Sequence, residues 1–287
     1  MGDFSGILNV YKPIGMTSHD VVYKIRRLTG IKKVGHTGTL DPDAEGVLPI
    51  CIGKATRIAD MLTFSNKRYT AKMKLGVTTD TQDASGEVLS VKEFNLTDEQ
   101  INIAIQKFVG EIQQIPPMYS AIKIGGKKLY ELARQGIEIE RQPRKITIFE
   151  INVLNINKDV VEIDVLCSKG TYIRTLCQDI GEELGCGAHM AGLIRTQSSN
   201  FTADKAVTFT QLENGNVEDY ILPVDQMFDY PKISVEGENE RKILNGNAVV
   251  MQGLIAEQKY RVYDSENKFI CVSKELDGRL TLIKSFY

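Results

Sequence analysis

The feature of this chain that most constrains its fold is a polar, glycine-rich segment at residues 35–46, GHTGTLDPDAEG, which we call the Asp41 loop. It holds three glycines in twelve residues, so ordering it costs conformational entropy. Pro42 fixes the backbone directly after Asp41. A chain retains such a loop where a ligand or a reacting group must approach the backbone closely. We therefore expect Asp41 to stand at a functional site, beside the apolar run at residues 47–52.

The charge of the chain is nearly balanced, with 35 Lys and Arg against 37 Asp and Glu. This balance argues against nonspecific binding of nucleic acid, which usually requires an excess of positive charge. Positive charge is nevertheless concentrated just before the Asp41 loop, because residues 24–33 carry five cations and no acid. A basic approach to a functional loop suits a substrate with a phosphate backbone. The alternative is that residues 24–33 form the solvated face of a helix.

The composition also indicates in which cellular compartment the protein is expected. The sequence contains no run of 18 apolar residues and begins with no signal-like pattern, so we expect a soluble, cytoplasmic protein without a membrane partner. The five cysteines are odd in number and lack the spacing of a disulfide framework, which fits a reducing compartment.

Hydrophobic periodicity predicts a mixture of helices and strands. Thr17 and Ser18 cap a first helix that Gly30 ends, and Thr97 with Gln100 forms a capping box at the start of another. Further helices are predicted over 129–134 and 172–184, and strands over 7–11, 69–76, 146–154 and 160–167.

Two stretches depart from this pattern. Residues 116–145 combine prolines, paired glycines and basic residues, which indicates a long excursion with little core. After Pro223 and Pro231, short alternating strands predict a small all-β module. The sequence therefore predicts one domain over residues 1–230 and a second over 231–287. Few apolar residues are expected to join them, so the first domain should fold alone.

Common cofactor and metal motifs fail on this chain. Gly53 and Lys54 suggest a phosphate-binding loop, but Leu48 replaces its first glycine and Ala55 its hydroxyl residue. No GxGxxG pattern follows a strand. A zinc site would use Cys177, Cys186 and His189, which lack a CxxC pair and a clear fourth ligand. A magnesium site, and with it a metal-dependent hydrolase, remains an alternative that would use Asp41, Asp43 and Glu45.

Five motifs, in one consistent order over about residues 6–200, resemble those of the TruB family of tRNA pseudouridine synthases. They are KPIGMTS (12–18), GHTGTLDPDAEGVLP (35–49), KRY with the following LG and TDT (67–81), QIPPMYSA with LYE (114–131), and SKGTYIRT (168–175). The number and order of these motifs make chance similarity a poor explanation.

The resemblance implies a fold and a partner. The fold is α+β, with a pseudouridine-synthase-like mixed, mainly antiparallel sheet flanked by helices and a small β-rich, PUA-like C-terminal domain. Residues 116–145 would form an RNA-binding insertion and residues 231–287 a second RNA-binding unit. The partner would be tRNA, bound at the T arm stem-loop, with the uridine at position 55 as the target. The family needs no cofactor and no obligatory protein partner, and we expect a monomer.

The implied reaction cleaves the N-glycosidic bond of uridine, rotates the uracil and reattaches it through carbon. A carboxylate serves by attack on the base or the sugar, or by stabilising an electron-poor sugar carbon or taking its proton. In each case it must be ionised, so a buried Asp needs a cation. The resemblance assigns Asp41 as the carboxylate and Tyr69 as the residue that stacks on the base. It assigns Arg174 as the cation beside Asp41, because a guanidinium group can hold a carboxylate through two hydrogen bonds. The alternatives are an ordinary ion pair for Arg174 and a core aromatic for Tyr69.

The resemblance also implies residues that bind the substrate or support the site. His36 would help displace the target nucleotide from the RNA stack, and Asp83 would extend a network around Arg174 unless it is only a turn residue before Gly86. Leu193 and Tyr172 would line the base pocket, and Lys12 and Pro13 would support the Asp41 loop.

A noncatalytic RNA-binding or tRNA-folding protein is a further alternative. Such a protein would keep the basic insertion and tolerate loss of Asp41. The joint presence of Asp41, Tyr69 and Arg174 favours an enzyme.

Overall fold

A computed structural model describes residues 5–63 and 65–287 of the chain. The α-helices are α1 (Ser18–Thr29), α2 (Ala59–Thr63), α3 (Asp98–Gln106), α4 (Leu129–Ala133), α5 (Ile173–Glu183), α6 (Phe209–Asn214) and α7 (Gly237–Leu244). The strands are β1 (Gly6–Lys12), β2 (Val34–His36), β3 (Ala44–Ile52), β4 (Lys67–Leu75), β5 (Val77–Thr79), β6 (Val88–Val91), β7 (Gly110–Gln114), β8 (Lys123–Ile124), β9 (Lys127–Lys128), β10 (Arg144–Asn157), β11 (Val160–Cys167), β12 (Ala188–Ser198), β13 (Phe201–Thr202), β14 (Ile221–Leu222), β15 (Lys232–Ser234), β16 (Val249–Val250), β17 (Lys259–Tyr263), β18 (Phe269–Leu276) and β19 (Arg279–Ser285). Short 3₁₀ helices span Gly53–Ile58, Ala203–Lys205, Val217–Tyr220 and Val224–Met227.

A ten-stranded sheet forms the centre of the molecule. Its strands run in the order β14-β1-β3-β12-β4-β11-β10-β7, with β2 added beside β3 and β13 beside β12. The neighbouring strands are antiparallel except β3 and β12, which are parallel. This arrangement confirms the predicted α+β fold with a mixed, mainly antiparallel sheet.

Helices cover this sheet with the apolar faces that the sequence predicts. Thr17 caps α1 in a capping box with Asp20, and Gly30 ends the helix with a φ of 70°. Its buried face, which includes Val21 and Ile25, packs on β1 and β3. Helices α3 and α5 pack on the other half of the sheet around a second core. Within the described part of the chain, none of the helices has the length and apolar character needed to span a membrane.

The parallel contact between β3 and β12 brings the Asp41 loop against the middle of the sheet. Leu193 lies opposite Ala44, and Arg195 lies opposite Gly46. Gly46 has a φ of +107°, and a side chain at this position would overlap the backbone of Arg195. Glycine is therefore required here for close approach as well as for backbone conformation.

The predicted basic excursion at residues 116–145 contains some structure of its own. Strands β8 and β9 form a two-stranded ribbon that leads into α4. Leu129 and Leu132 of α4 are buried. The base of the excursion is closed by Arg141, whose Nη1 donates to the Pro116 carbonyl at 3.2 Å.

The C-terminal module has its own five-stranded sheet, in the order β15-β17-β18-β19-β16, and its own apolar core. The prediction that the module is entirely β-structured is wrong, because α7 packs on this sheet through the fully buried Ile243. The segment that forms α7 has acids in its first turn and Arg241 and Lys242 in its last. Lys242 also pairs with Glu238 at i, i+4. These are helix-stabilising features that outweigh the short-strand pattern around them.

The expectation that few apolar residues join the two parts of the chain is also wrong. Phe228 packs with Phe269 and Phe286 at ring-centroid distances of 6.2 and 6.4 Å. Phe286 stacks on Phe269 at 5.1 Å. These rings belong to one buried cluster with residues of the central sheet and α2, including Ile7, Val47 and Leu62. In addition, Arg57 donates to the Ser285 carbonyl at 2.7 Å.

We therefore expect the chain truncated after residue 231 to unfold or aggregate instead of folding alone. Within the full chain, Phe286→Ala should lower the free energy of unfolding by about 3–5 kcal/mol, since it opens a cavity in the shared cluster. Ile283→Ala, at a residue that is 42% exposed in β19, three positions before Phe286, is the matched control and should cost less than about 1 kcal/mol. Urea unfolding of the variants measures both values. A soluble truncated chain with wild-type thermal stability would contradict the shared core.

Candidate active site

The Asp41 loop is fixed by contacts with the first turn of α1 and with the turn that precedes this helix. The Leu40 amide donates to Ser18 Oγ at 2.8 Å, and Ser18 Oγ donates in turn to the Leu40 carbonyl at 3.0 Å. The Gly15 amide donates to the Pro42 carbonyl at 2.9 Å. Since both residues that flank Asp41 have bonded carbonyls, the backbone on either side of the carboxylate is held in place.

Lys12 and Pro13 lie directly beneath this loop. The ammonium group of Lys12 is fully buried and donates to the carbonyls of Pro13, Met16 and Pro42 at 2.9, 2.6 and 3.2 Å. Burial lowers the pKa of Lys12, while the charges of Asp41 and Asp43 act to raise it. Lys12 therefore connects the end of β1 to the loop and adds positive charge near Asp41.

Arg174 joins Asp41 to a second carboxylate. It occupies the second position of α5, so the start of this helix directs it at the Asp41 loop. Its Nη2 lies 3.2 Å from Asp41 Oδ2, and its Nη1 lies 3.2 Å from Asp83 Oδ2. Nη2 also donates to the Tyr119 carbonyl at 2.9 Å. The side chains of Arg174, Asp83 and Asp41 are 8, 15 and 44% exposed, so the cation is fixed while Asp41 remains accessible.

Asp83 fulfils both roles that the sequence left open for it. Its Oδ1 accepts hydrogen bonds from the Ser85 amide at 3.0 Å and from the hydroxyls of Thr81 and Ser85 at 2.7 and 2.6 Å. These are the contacts of a turn residue. Its Oδ2 accepts from Arg174 at the same time. The hydrogen bonds within the turn therefore orient the Asp83 carboxylate, and this carboxylate orients Arg174.

Tyr69 and Leu193 lie on adjacent strands at the centre of the sheet. Tyr69 of β4 is opposite Arg195 of β12, and Leu193 is opposite both Ala71 of β4 and Ala44 of β3. Both side chains are partly buried and pack against the core beneath α5. Burial raises the pKa of Tyr69, so its hydroxyl is protonated at neutral pH. The pair presents an aromatic and an aliphatic surface beside the Asp41 loop.

Tyr172 and His36 flank the same site from two other elements. Tyr172 is the N-cap of α5, and its amide donates to Gln114 Oε1 at 2.8 Å. Burial is the main cause that raises its pKa. His36 ends β2, and its Nδ1 accepts from the Gly38 amide at 3.2 Å. Because burial lowers the pKa of His36, the ring is neutral at neutral pH and carries its proton on Nε2.

The residues that the sequence offered as metal ligands do not form a cluster in the described part of the chain. Among residues 5–63 and 65–287, the structure contains no cluster of three or more His, Cys, Asp or Glu that could hold a metal ion. His189 Nδ1 lies 2.9 Å from the Val77 carbonyl, and Cys177 is fully buried. In the Asp41 loop, Asp43 is exposed, whereas Glu45 interacts with the Tyr11 hydroxyl.

Two contacts at the site could not be recognised in the sequence. The Tyr119 carbonyl binds Arg174 through its backbone, so no side-chain pattern marks it. Arg195 is buried in the middle of β12 and donates to carbonyls of the Asp41 loop. Its one sequence signal is its spacing of two residues from Leu193, which places both side chains on one face of the strand.

The arrangement supports chemistry by a carboxylate that stands beside aromatic and apolar side chains. An accessible carboxylate stands on a fixed loop, a buried arginine stabilises its charge, and a protonated phenol and apolar side chains lie beside it. Such a carboxylate can form a covalent bond with an electron-poor carbon or stabilise positive charge on it.

Comparison with known proteins relates the whole chain to one family. The model "TruB family pseudouridylate synthase (N terminal domain)" matches residues 26–173. The models "tRNA pseudouridylate synthase B C-terminal domain" and "Pseudouridine synthase II TruB, C-terminal" match residues 174–229 and 231–281. The first match holds Asp41, Tyr69 and Asp83, and the second begins at Arg174.

Individual relatives give the same result. A tRNA pseudouridine synthase B of Alkaliphilus oremlandii is 54% identical over 253 residues, covering 88% of this chain and 85% of its own. One of Clostridium kluyveri is 48% identical over 286 residues, covering 98 and 99%. Among solved structures, a chain of a Cbf5-Nop10-Gar1 complex superimposes with a TM-score of 0.72 at 27% identity, covering 98% of this chain and 85% of that one.

Proposed function

This chain belongs to the TruB family of pseudouridylate synthases, and we propose that its target is the uridine at position 55 in the T arm of tRNA. The enzyme is an isomerase that converts a uridine of tRNA to pseudouridine. The choice of uridine rests on the resemblance of the five sequence motifs to those of the family. We further propose that it acts in the cytoplasm and as a monomer; the cytoplasmic location accords with five cysteines that are all buried and unpaired.

The observation that carries the proposed mechanism is the ion pair between Asp41 and Arg174, with Asp83 behind it. The reaction needs an ionised carboxylate that substrate can reach, and Asp41 is the exposed member of this group. Arg174 is held on its other side by Asp83 and by the Tyr119 carbonyl, so it does not have to reorganise during the reaction.

The reaction rearranges bonds without any net gain or loss of atoms. The bond between N1 of uracil and C1′ of ribose breaks, the base rotates, a bond forms between C5 and C1′, and the proton on C5 is lost while a ring nitrogen gains one. Asp41 serves either by bonding to C1′ as the base departs or by bonding to the base itself, and both routes require its negative charge. Arg174 supports that charge in both routes.

Tyr69 and His36 serve the substrate base in this proposal. Tyr69 offers its partly buried ring as a stacking surface, and its protonated hydroxyl can exchange a hydrogen bond with the base. Neutral His36 stands at the edge of the loop, where it can occupy the space left by a nucleotide that is turned out of the RNA stack. Turning out a base costs a few kcal/mol, which contacts with Tyr172 and Leu193 would offset.

The insertion at residues 116–145 provides basic groups for the RNA backbone. Lys123 and Lys127 are exposed on its ribbon, and Lys128 and Arg134 both lie over the Tyr130 ring. Because Tyr119 of this insertion also bonds Arg174, we propose that RNA held by the insertion is placed directly over Asp41. The C-terminal module is proposed to be a second, PUA-like contact with RNA.

Incubation of the protein with an unmodified tRNA transcript, followed by mapping of pseudouridine at single-nucleotide resolution, tests this function. We expect one new pseudouridine, at position 55 of the full transcript and at the corresponding uridine of an isolated T arm stem-loop. A transcript with cytidine at this position is the control and should remain unmodified. The activity should persist in EDTA. Modification at another position would refute the target, and loss of activity in EDTA would favour a metal-dependent mechanism.

A further inference from the structure

Arg195 is a fully buried arginine at the centre of the sheet. Its residue exposure is 2%, and it is the bulkiest of the fully buried side chains. Burying a guanidinium group carries a large desolvation cost unless hydrogen bonds and opposite charge compensate for it. Among the described residues, the ion pairs of the site belong to Arg174, so Arg195 must be compensated in another way.

The compensation comes from backbone carbonyls of the Asp41 loop and β3. The guanidinium donates through Nε to the Val47 carbonyl at 2.7 Å, through Nη1 to the Thr39 carbonyl at 3.3 Å and through Nη2 to the Gly38 carbonyl at 3.2 Å. These three carbonyls lie on both sides of Asp41 along the chain. A single rigid fork therefore sets the distance between residues 38–39 and the Val47 carbonyl.

Arg195 and Lys12 hold opposite ends of the same short segment. Arg195 bonds the carbonyls at 38 and 39, while Lys12 bonds the carbonyl of Pro42. Asp41 lies between these contacts. Neither cation is accessible to an RNA phosphate, because Arg195 and Lys12 are 2 and 0% exposed.

Charged and titratable groups from each neighbouring element face Arg195. Tyr69 and Lys67 come from β4, His36 from β2, Lys12 from β1 and Asp41 from the loop. The Tyr69 hydroxyl and the Asp41 charge favour the cation, whereas burial lowers the pKa of Arg195. Arg195 also lowers the pKa of Lys67, which is reduced to about 8, chiefly by burial.

We propose that Arg195 is a positioning residue for the isomerisation: it fixes the backbone that carries Asp41, orients the hydroxyl of Tyr69 and adds positive charge near the carboxylate. This inference rests on the proposed role of Asp41. Arg174 contacts the carboxylate directly, whereas Arg195 acts through the loop and through Tyr69. The two arginines therefore have separable effects on the reaction.

Two substitutions of Arg195 test this role in the full-length protein. Arg195→Gln removes the charge and the fork, and Arg195→Lys keeps the charge but not the fork. We expect the single-turnover rate with saturating tRNA to fall about 100-fold for Arg195→Gln and about tenfold for Arg195→Lys, since small displacements of a reacting group have effects of this size. The tRNA dissociation constant should stay within about threefold for both, because Arg195 cannot touch RNA.

The pH dependence of the same rate distinguishes positioning from a merely structural role. For Arg195→Gln the acid limb of the pH–rate profile should move to higher pH, because the Asp41 charge has lost a stabilising cation. For Arg195→Lys it should stay at the wild-type position. Arg195 contributes to the lowered pKa of Lys67, about 8, so the titration of Lys67 should move to higher pH in Arg195→Gln, and the comparison is therefore confined to the acid limb.

Arg57→Met is the matched control, since Arg57 also holds backbone carbonyls but at the C-terminal module. It should lower the melting temperature and leave the single-turnover rate of the folded protein nearly unchanged. If Arg195→Gln cannot be purified in folded form, Arg195→Lys alone still tests the rate and affinity. A wild-type rate in a folded Arg195 variant, or a loss confined to tRNA affinity, would overturn the proposal. Should Asp41→Asn retain activity while Arg195→Gln does not, the proposed function of Asp41 would fail and not the importance of Arg195.

Discussion

Asp41→Asn should abolish the conversion of uridine to pseudouridine while leaving the protein folded and able to bind tRNA. The substitution keeps the shape of the side chain and removes the negative charge and the nucleophilic oxygen. Every role that the carboxylate can take in the reaction requires that charge, so we expect the single-turnover rate to fall by about 10⁴-fold or more. The tRNA dissociation constant should change by less than about tenfold, since only interactions specific to the transition state are lost.

Stability should change little, because Asp41 is the exposed member of the ion-pair group. Its side chain is 44% exposed, and Arg174 keeps its contacts with Asp83 and with the Tyr119 carbonyl when Asp41 is neutral. The melting temperature of Asp41→Asn should therefore lie close to that of the wild type. This separates a chemical defect from a folding defect.

Asp43→Asn is the matched control in the same loop. Asp43 is exposed, lies two positions from Asp41 and differs from it in having no described ion pair with Arg174. A nearly wild-type rate for Asp43→Asn beside an inactive Asp41→Asn would exclude a shared metal site formed by the acids of the loop. Near-normal turnover by Asp41→Asn would remove Asp41 from the mechanism.

The sequence predicted those parts of the fold whose signals are local. Thr17 and Gly30 mark the two ends of α1, and Thr97 with Gln100 marks the start of α3, because caps depend on neighbouring residues only. The shared aromatic cluster of Phe228, Phe269 and Phe286 was missed for the opposite reason. Each ring looks like an isolated apolar residue of a short strand or turn until tertiary folding brings the three together.

The candidate site shows the same division. Family motifs pointed to Asp41, Asp83 and Arg174, and the structure brings these three side chains together although they come from distant segments. Their roles in the reaction remain predictions. Arg195 was not predicted, because a cation in a strand ordinarily marks an exposed face, and its contacts are with carbonyls that leave no trace in side-chain pattern. The structure also shows that only the arginine of this ion pair is enclosed, since the Asp41 side chain is 44% exposed.

Arg174→Met should slow the isomerisation at neutral pH and move the acid limb of its pH–rate profile to higher pH. Methionine preserves much of the apolar stem but removes the cation that lies 3.2 Å from both Asp41 and Asp83. Removing one partner of a buried ion pair costs about 3–5 kcal/mol. Here the cost falls mainly on Asp83, which is 15% exposed and keeps three hydrogen bonds to Thr81 and Ser85, so we expect a loss of unfolding free energy near or below the lower end of that range.

The catalytic effect falls on Asp41 and has a definite sign. An opposite charge nearby favours the ionised form of a carboxylate, so removing Arg174 should move the acid limb of the pH–rate profile to higher pH. At neutral pH we expect a loss of about 100-fold or more, the size typical for removing one preorganised donor from an active site. Arg174→Lys should recover part of the rate, because an ammonium group restores the charge but cannot contact Asp41, Asp83 and the Tyr119 carbonyl together.

Single-turnover rates of Arg174→Met, Arg174→Lys and the wild type over about pH 5 to 9 provide the decisive measurement. Asp83→Asn is the matched control, because it keeps Arg174 and Asp41 but weakens the support behind the arginine. It should lower the rate less than Arg174→Met and leave the acid limb of the profile nearer to the wild-type position. Equal rates for Arg174→Met and the wild type at every pH would show that the Arg174 charge does not act on Asp41. The ion pair would then be a structural contact, and the positive charge beside Asp41 would come from Arg195 and Lys12, both of which interact with its charge.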